Sequence, residues 1–295
     1  MVVELQKGEL RAAVVDNAPH LEKGGHREGY NGLAALTSDA QQANPFVPFY
    51  AGMNLELYFD GVVTDRPTLF EPRRAPMELE KIDQATARLY QPPVPYWKVE
   101  SWTEFTLREP NYIDFRYRAI PHERTFQRNW LGVFWATYVA YPEDPGIWFP
   151  TATPEGARTM RHFSSIHGEE STHRHAADGE EITVSHDHRM YMYGSYSRFR
   201  YARPYFWGFV HGMRVLFMFQ DNPNIRFAQS PSGGGIRCPA WDFQLVVPDY
   251  QVGGQYSLEA RMVYSPLGAA VDPEVEHARW VDFRKNQSGV GGEGR

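Results

Sequence analysis

The sequence predicts an all-β protein: a large antiparallel two-sheet sandwich, supersandwich-like in size, with one short C-terminal helix. Three observations carry that prediction. Short runs of β-branched and aromatic residues recur at close spacing, Gly, Pro, Asn and Asp clusters separate them, and helical periodicity is nearly absent before residue 272. Of 295 residues, 42% are hydrophobic and 15% aromatic, enough for a large core and incompatible with general disorder. No linker divides the chain, so residues 1–285 read as a single sandwich domain and 286–295, NQSGVGGEGR, as a disordered tail. No internal repeat supports a propeller.

The elements follow in order. Residues 10–18 are β-branched enough for a first strand, and 30–36 continue the pattern. In Asn54 to Phe59 the alternation puts Leu55, Leu57 and Phe59 on one face and Asn54, Glu56 and Tyr58 on the other. Glu71-Pro72-Arg73-Arg74 reads as a charged loop leading into short strands at 77–82 and 86–90. The clearest hairpin runs from Trp97 to Leu107, turns at Glu109-Pro110-Asn111 and returns from Tyr112 to Ile120, one face buried and one polar. Residues 131–140 are nearly all apolar and suit a central strand. The polar, His-rich stretch 168–190 reads as a long excursion. Strands resume at 191–201, 205–211, 214–220, 225–229, 241–247 and 256–264. Asp272-Pro273-Glu274 marks a helix start with Asp272 as N-cap, giving a helix over 272–285.

A net charge of −6 argues against a nucleic-acid partner, because phosphate binding needs clustered cations. The single cysteine, Cys238, rules out an intrachain disulfide framework and fits a reducing compartment. No stretch has the make-up of a signal peptide or of a membrane span, so a soluble, cytoplasmic protein without a membrane partner is expected. Oligomeric state leaves no trace in the sequence.

The stretch from Tyr205 to Asp242 is the expected wall and lip of a pocket. Tyr205, Trp207 and Trp241 supply aromatic surface, Gln229 a polar contact, and the run containing Gly233 and Gly234 a place where a ligand approaches the backbone closely. His167 and His211 each precede a glycine at the border of an apolar strand, and imidazoles serve as acid or base near neutral pH. Glu56, Glu71 and Asp242 are the carboxylate candidates, with Trp241-Asp242 and the Glu71 segment the best local combinations. Arg73 and Arg74 suit an anionic substituent on a substrate. Cys238 has no assignable histidine partner and makes a poor nucleophile. Two His-x-His pairs, His173 with His175 and His186 with His188, offer a possible site for a divalent metal, since residues two apart on an extended chain point the same way.

The strand-dense length, the aromatic pocket candidates and the run PDYQVGGQYSLEARMVY together resemble the galactose-mutarotase-like β-supersandwich, a fold of sugar epimerases and of domains in polysaccharide lyases and glycosidases. The resemblance implies a small sugar or oligosaccharide as ligand and an enzyme working by acid/base chemistry, epimerase or lyase in preference to hydrolase. It carries over no individual residue roles. Two alternatives stand beside it: a cupin-like metal enzyme built on the four histidines, and a non-catalytic carbohydrate-binding protein.

Overall fold

The computed structural model describes residues 1–18, 30–47, 52–152, 158–165, 169–179, 194–231 and 237–290. Two antiparallel sheets face each other. The first has eight strands: β1 (Val2–Lys7), β2 (Leu10–Val15), β3 (Gly32–Ser38), β4 (Met53–Phe59), β9 (Trp130–Thr137), β16 (Pro239–Pro248), β15 (Ile225–Pro231) and β12 (Thr172–Arg174), in that spatial order. The second has nine, ordered β11 (Arg158–Phe163), β10 (Ile147–Ala152), β13 (Tyr205–Val210), β14 (Met213–Phe219), β17 (Tyr256–Pro266), β8 (Tyr112–Pro121), β7 (Val99–Arg108), β6 (Thr86–Gln91) and β5 (Glu78–Lys81).

The period of two along each strand explains the core. Trp135, Phe243 and Phe227 lie opposite one another on β9, β16 and β15 and point inward, where Trp135 meets Phe115 and Tyr117 of the facing sheet edge-on at 4.7 and 5.6 Å. One apolar cluster draws on both sheets. The nine-stranded sheet has a second, smaller cluster on its outer face, where α3 (Pro273–Val290) lays Trp280 against Leu216, Met218 and Val263. Asp272 caps α3 as expected, its Oδ1 accepting from the amides of Glu274 and Val275. Two single-turn helices, α1 (Arg66–Leu69) and α2 (Glu71–Arg74), stand where a charged loop was expected.

Other departures have local causes. A strand before residue 10 was not anticipated: β1 pairs with β2 through a turn at Gly8, where φ is +55°. Within the expected strand 191–201, residues 194–201 make only isolated bridges, Tyr196 to Thr172 and Tyr201 to both His175 and Thr151. Five residue steps on one chain answer three on the other, and no continuous ladder fits that mismatch. The expected helix over 272–285 extends further, since α3 runs on to Val290.

In β4 the regular alternation fails. Leu55 pairs with Trp135 and Leu57 with its neighbour Phe134, so Glu56 is an inserted bulge residue. Beyond it Leu57 turns outward and Tyr58 inward, its hydroxyl 3.1 Å from that of Tyr117 in the core. Asn31 secures the bulge by taking the place of a strand neighbour: its side chain accepts from Leu55 N and donates to Leu55 O, both at 3.1 Å. The adjacent Gly32 has φ +93° and sits so close to β4 that a Cβ would fall 2.0 Å from Met53 O.

Candidate active site

The outer face of the eight-stranded sheet carries buried polar side chains from four of its strands. Asn54 and Glu56 come from β4, Asp242 and Gln244 from β16, Ser230 and Arg226 from β15, and Thr172 from β12; each is less than 9% exposed. Buried polar groups are retained only when partnered, and the partners define the site. Glu56 accepts a 2.6 Å hydrogen bond from the hydroxyl of Tyr138, the residue just past β9. Arg73 of α2 brings Nη1 to 4.0 Å from the same Glu56 oxygen. Its guanidinium rests 3.9 Å over the ring of Tyr30, which in turn meets Tyr138 edge-on.

Asp242 lies beside this group. Its Oδ1 accepts from Thr137 N at 2.8 Å and its Oδ2 from Ser230 Oγ at 2.9 Å. Complete burial, reinforced by the nearby charge of Glu56, raises the Asp242 carboxyl well above the ordinary carboxylate range against the pull of those two donors. Burial and the same glutamate raise the Tyr138 hydroxyl well above its usual value. The result is a carboxyl held toward its protonated form beside a second carboxyl that meets a donor and a cation.

The structure therefore brings together Glu56, Arg73 and Asp242 of the expected residues and adds Tyr138, Tyr30 and Ser230. The others lie elsewhere. Trp241 and Asp242 point to opposite faces, as neighbours on a strand must: the tryptophan is wholly buried between the sheets, donating to Pro145 O and filling the space that Gly208 leaves. Glu71 accepts from the amides of Tyr96 and Trp97 and so clamps the helical segment to the loop before β7. Arg74 is exposed. His211 and Gly212, with φ of +53° and +73°, are the two-residue turn joining β13 to β14, so the glycine after this histidine serves the turn. Gln229 ties Phe163 and Ser165 to β15. Tyr205 donates to Glu274 beneath α3, and Trp207 stacks on Trp148 across the sheet at 5.2 Å.

His173 is fully buried between the rings of Phe149 and Phe163, and burial lowers its pKa to about 3. His175 is half-buried with Nδ1 accepting from Ala177 N, and burial lowers its pKa too. His167, His186, His188, Gly233 and Gly234 lie outside the described residues. Among the described residues, no group of three or more His, Cys, Asp or Glu side chains gathers as a metal ion requires, and no helix is long and apolar enough to cross a membrane.

Neither a protein-family model nor a curated protein matches the sequence. Solved structures do match the fold. A candidate aldose 1-epimerase from Escherichia coli K12 superposes with a TM-score of 0.51 at 10% identity, covering 90% of this chain and 99% of that one. The alpha-N-acetylgalactosaminidase NagBb from Bifidobacterium bifidum superposes at 0.53 and 10% identity, covering 96% of this chain but 39% of the larger enzyme. The chain has the galactose-mutarotase-like β-supersandwich fold.

Proposed function

We infer that the protein is a carbohydrate-active enzyme whose acid/base centre is the Glu56, Tyr138, Arg73 and Asp242 cluster, acting on a sugar as an epimerase or lyase. The observation that carries the reading is the placing on one sheet face of two buried carboxyls, Asp242 raised by burial and Glu56 beside a hydroxyl donor and a guanidinium. In this reading Glu56 takes a proton from a sugar hydroxyl or from a carbon next to a carbonyl. Asp242 returns one to the oxygen whose bond to carbon breaks, and Arg73 offsets negative charge that develops on oxygen. The fold shared with a candidate aldose 1-epimerase and with a galactosaminidase supports a sugar as the ligand.

One observation favours a second reading, non-catalytic sugar binding or a purely internal polar network. Glu56, Arg73, Tyr138 and Asp242 are each under 5% exposed, so a ligand reaches them only when the cover over this face shifts. A single set of experiments separates the two. Neutral sugars, uronates and oligosaccharides are incubated with the protein and followed by proton NMR in heavy water for anomer exchange, deuterium uptake or an unsaturated product. Turnover that disappears in Glu56→Gln and Asp242→Asn supports the enzyme. Saturable binding without turnover supports the second reading, and the absence of both across the panel removes carbohydrate altogether.

A further inference from the structure

We propose that the outer face of the nine-stranded sheet carries a binding site for an oxyanion, a sulfate, phosphate or carboxylate group, in the groove between β7, β8, β17 and the second half of α3. The groove has a volume of about 520 Å³. It lies on the far side of the sandwich from Glu56 and does not rest on the acid/base reading.

Register places outward-facing charges of neighbouring strands side by side, Glu104 opposite Arg116 and Arg116 opposite Glu259. Each lining carboxylate is already occupied. Glu259 meets Arg116 at 3.2 Å and Arg284 at 2.9 Å, Asp114 is shared by Arg108 and Arg261 at 2.6 Å each, and Glu104 is held by Arg88 at 3.0 Å. Other acids on the surrounding elements are engaged or peripheral: Glu100 accepts from Tyr90 and pairs with His122, Glu80 faces Arg88 on the edge strand β5, Glu276 of α3 accepts from Tyr112 and pairs with Arg279, and Asp282 pairs with Lys285 at 3.7 Å.

What is left over is cationic. The Arg118 guanidinium lies over the Trp102 ring, its Cζ 3.9 Å from the ring centre, and meets no carboxylate among the described residues. A ring accepts no conventional hydrogen bond in its plane, so this contact leaves the N–H groups of Arg118 for an acceptor. Arg108 and Arg116 engage their carboxylates through Nε, and their terminal Nη groups take no acceptor among the described residues. A chain of net charge −6 thus concentrates surplus guanidinium donors in one concave place. Planar N–H forks of this kind match the paired oxygens of an oxyanion, and fixed stacking keeps the entropy cost of engaging them low.

The test is calorimetric titration at low ionic strength with inorganic sulfate, inorganic phosphate and glucuronate, and with galactose as a neutral control. Saturable binding of at least one oxyanion is expected. Preference for glucuronate marks a carboxylate carried on a sugar, whereas preference for sulfate or phosphate marks a tetrahedral ion. Arg118→Gln should weaken the binding by about tenfold or more, and Arg118→Lys, which keeps charge but loses the fork, should fall between. Arg11→Gln, which alters the distant surface pair with Asp39, should change nothing. No saturable binding in the millimolar range, or equal weakening by Arg11→Gln, overturns the proposal. If Arg118→Gln does not fold, Arg118→Lys decides: unchanged affinity overturns the site.

Discussion

Replacing Tyr138 by Phe removes one oxygen from the candidate site and little else. That oxygen donates at 2.6 Å to Glu56, and both residues are buried, at 4% and 3% exposure. Hydrogen bonds to a charged, buried group contribute about 1.5–3 kcal/mol, and the loss falls at the upper end when the acceptor is left short of donors. Arg73, at 4.0 Å, stands beyond hydrogen-bond distance and replaces only part of the lost interaction. Tyr138→Phe should therefore destabilise the protein by about 2 kcal/mol at neutral pH, lowering the thermal midpoint by about 3 °C for a chain of this size. The cost should depend on its partner. In a double-mutant cycle with Glu56→Gln the two changes should couple by about 1 kcal/mol or more, because the amide leaves no charge for the hydroxyl to serve. Equilibrium urea unfolding of the four proteins measures this. A loss below about 0.5 kcal/mol with additive effects would refute the description of Glu56 and Tyr138 as a charge-assisted pair.

Three further outcomes follow from the same structure. Asp242 has a folded-state pKa above its unfolded value of about 3.9, so its contribution is fully present below that pH and lost as pH rises through the folded value; Asp242→Asn, which cannot ionise, should flatten the fall in stability above pH 4 by up to about 1.4 kcal/mol per pH unit, and an unchanged slope in urea unfolding from pH 4 to 8 would count against the assignment. His173 shifts the other way, from 6.5 to about 3, so its contribution is present above pH 6.5 and lost on acidification toward 3; neither ring nitrogen has a hydrogen-bond partner among the described residues, and His173→Phe should leave neutral stability equal or higher while moving acid unfolding to lower pH. Gly208→Ala would set a methyl group 2.3 Å from the Trp241 ring, costing about 1–3 kcal/mol and altering the near-ultraviolet circular dichroism; a neutral effect on both would mean that Trp241 is not packed there.

The hairpin from β7 to β8 and the capped start of α3 were legible because their signals are local: strict alternation across ten-residue strands in one case, an Asx cap and Pro in the other. The site was legible in its members but not in its grouping. Glu56, Arg73 and Asp242 stood out as polar residues in apolar surroundings, whereas Tyr138 looked like part of an apolar strand, one aromatic among many. Its partnership with Glu56 spans 82 residues, and no local pattern encodes which strands become neighbours. The pairing of Trp241 with Asp242 misled for the opposite reason, since adjacency in sequence separates side chains on a strand.

The bulge in β4 makes Glu56 supernumerary to the ladder. Because Leu55 and Leu57 already face consecutive residues of β9, excising position 56 altogether would close the strand into unbroken alternation with every remaining partner kept. A point substitution there leaves the kink and an altered side chain, whereas a one-codon deletion would erase both and restore a plain sheet. The acid at the heart of the candidate site is thus a modular addition to the scaffold.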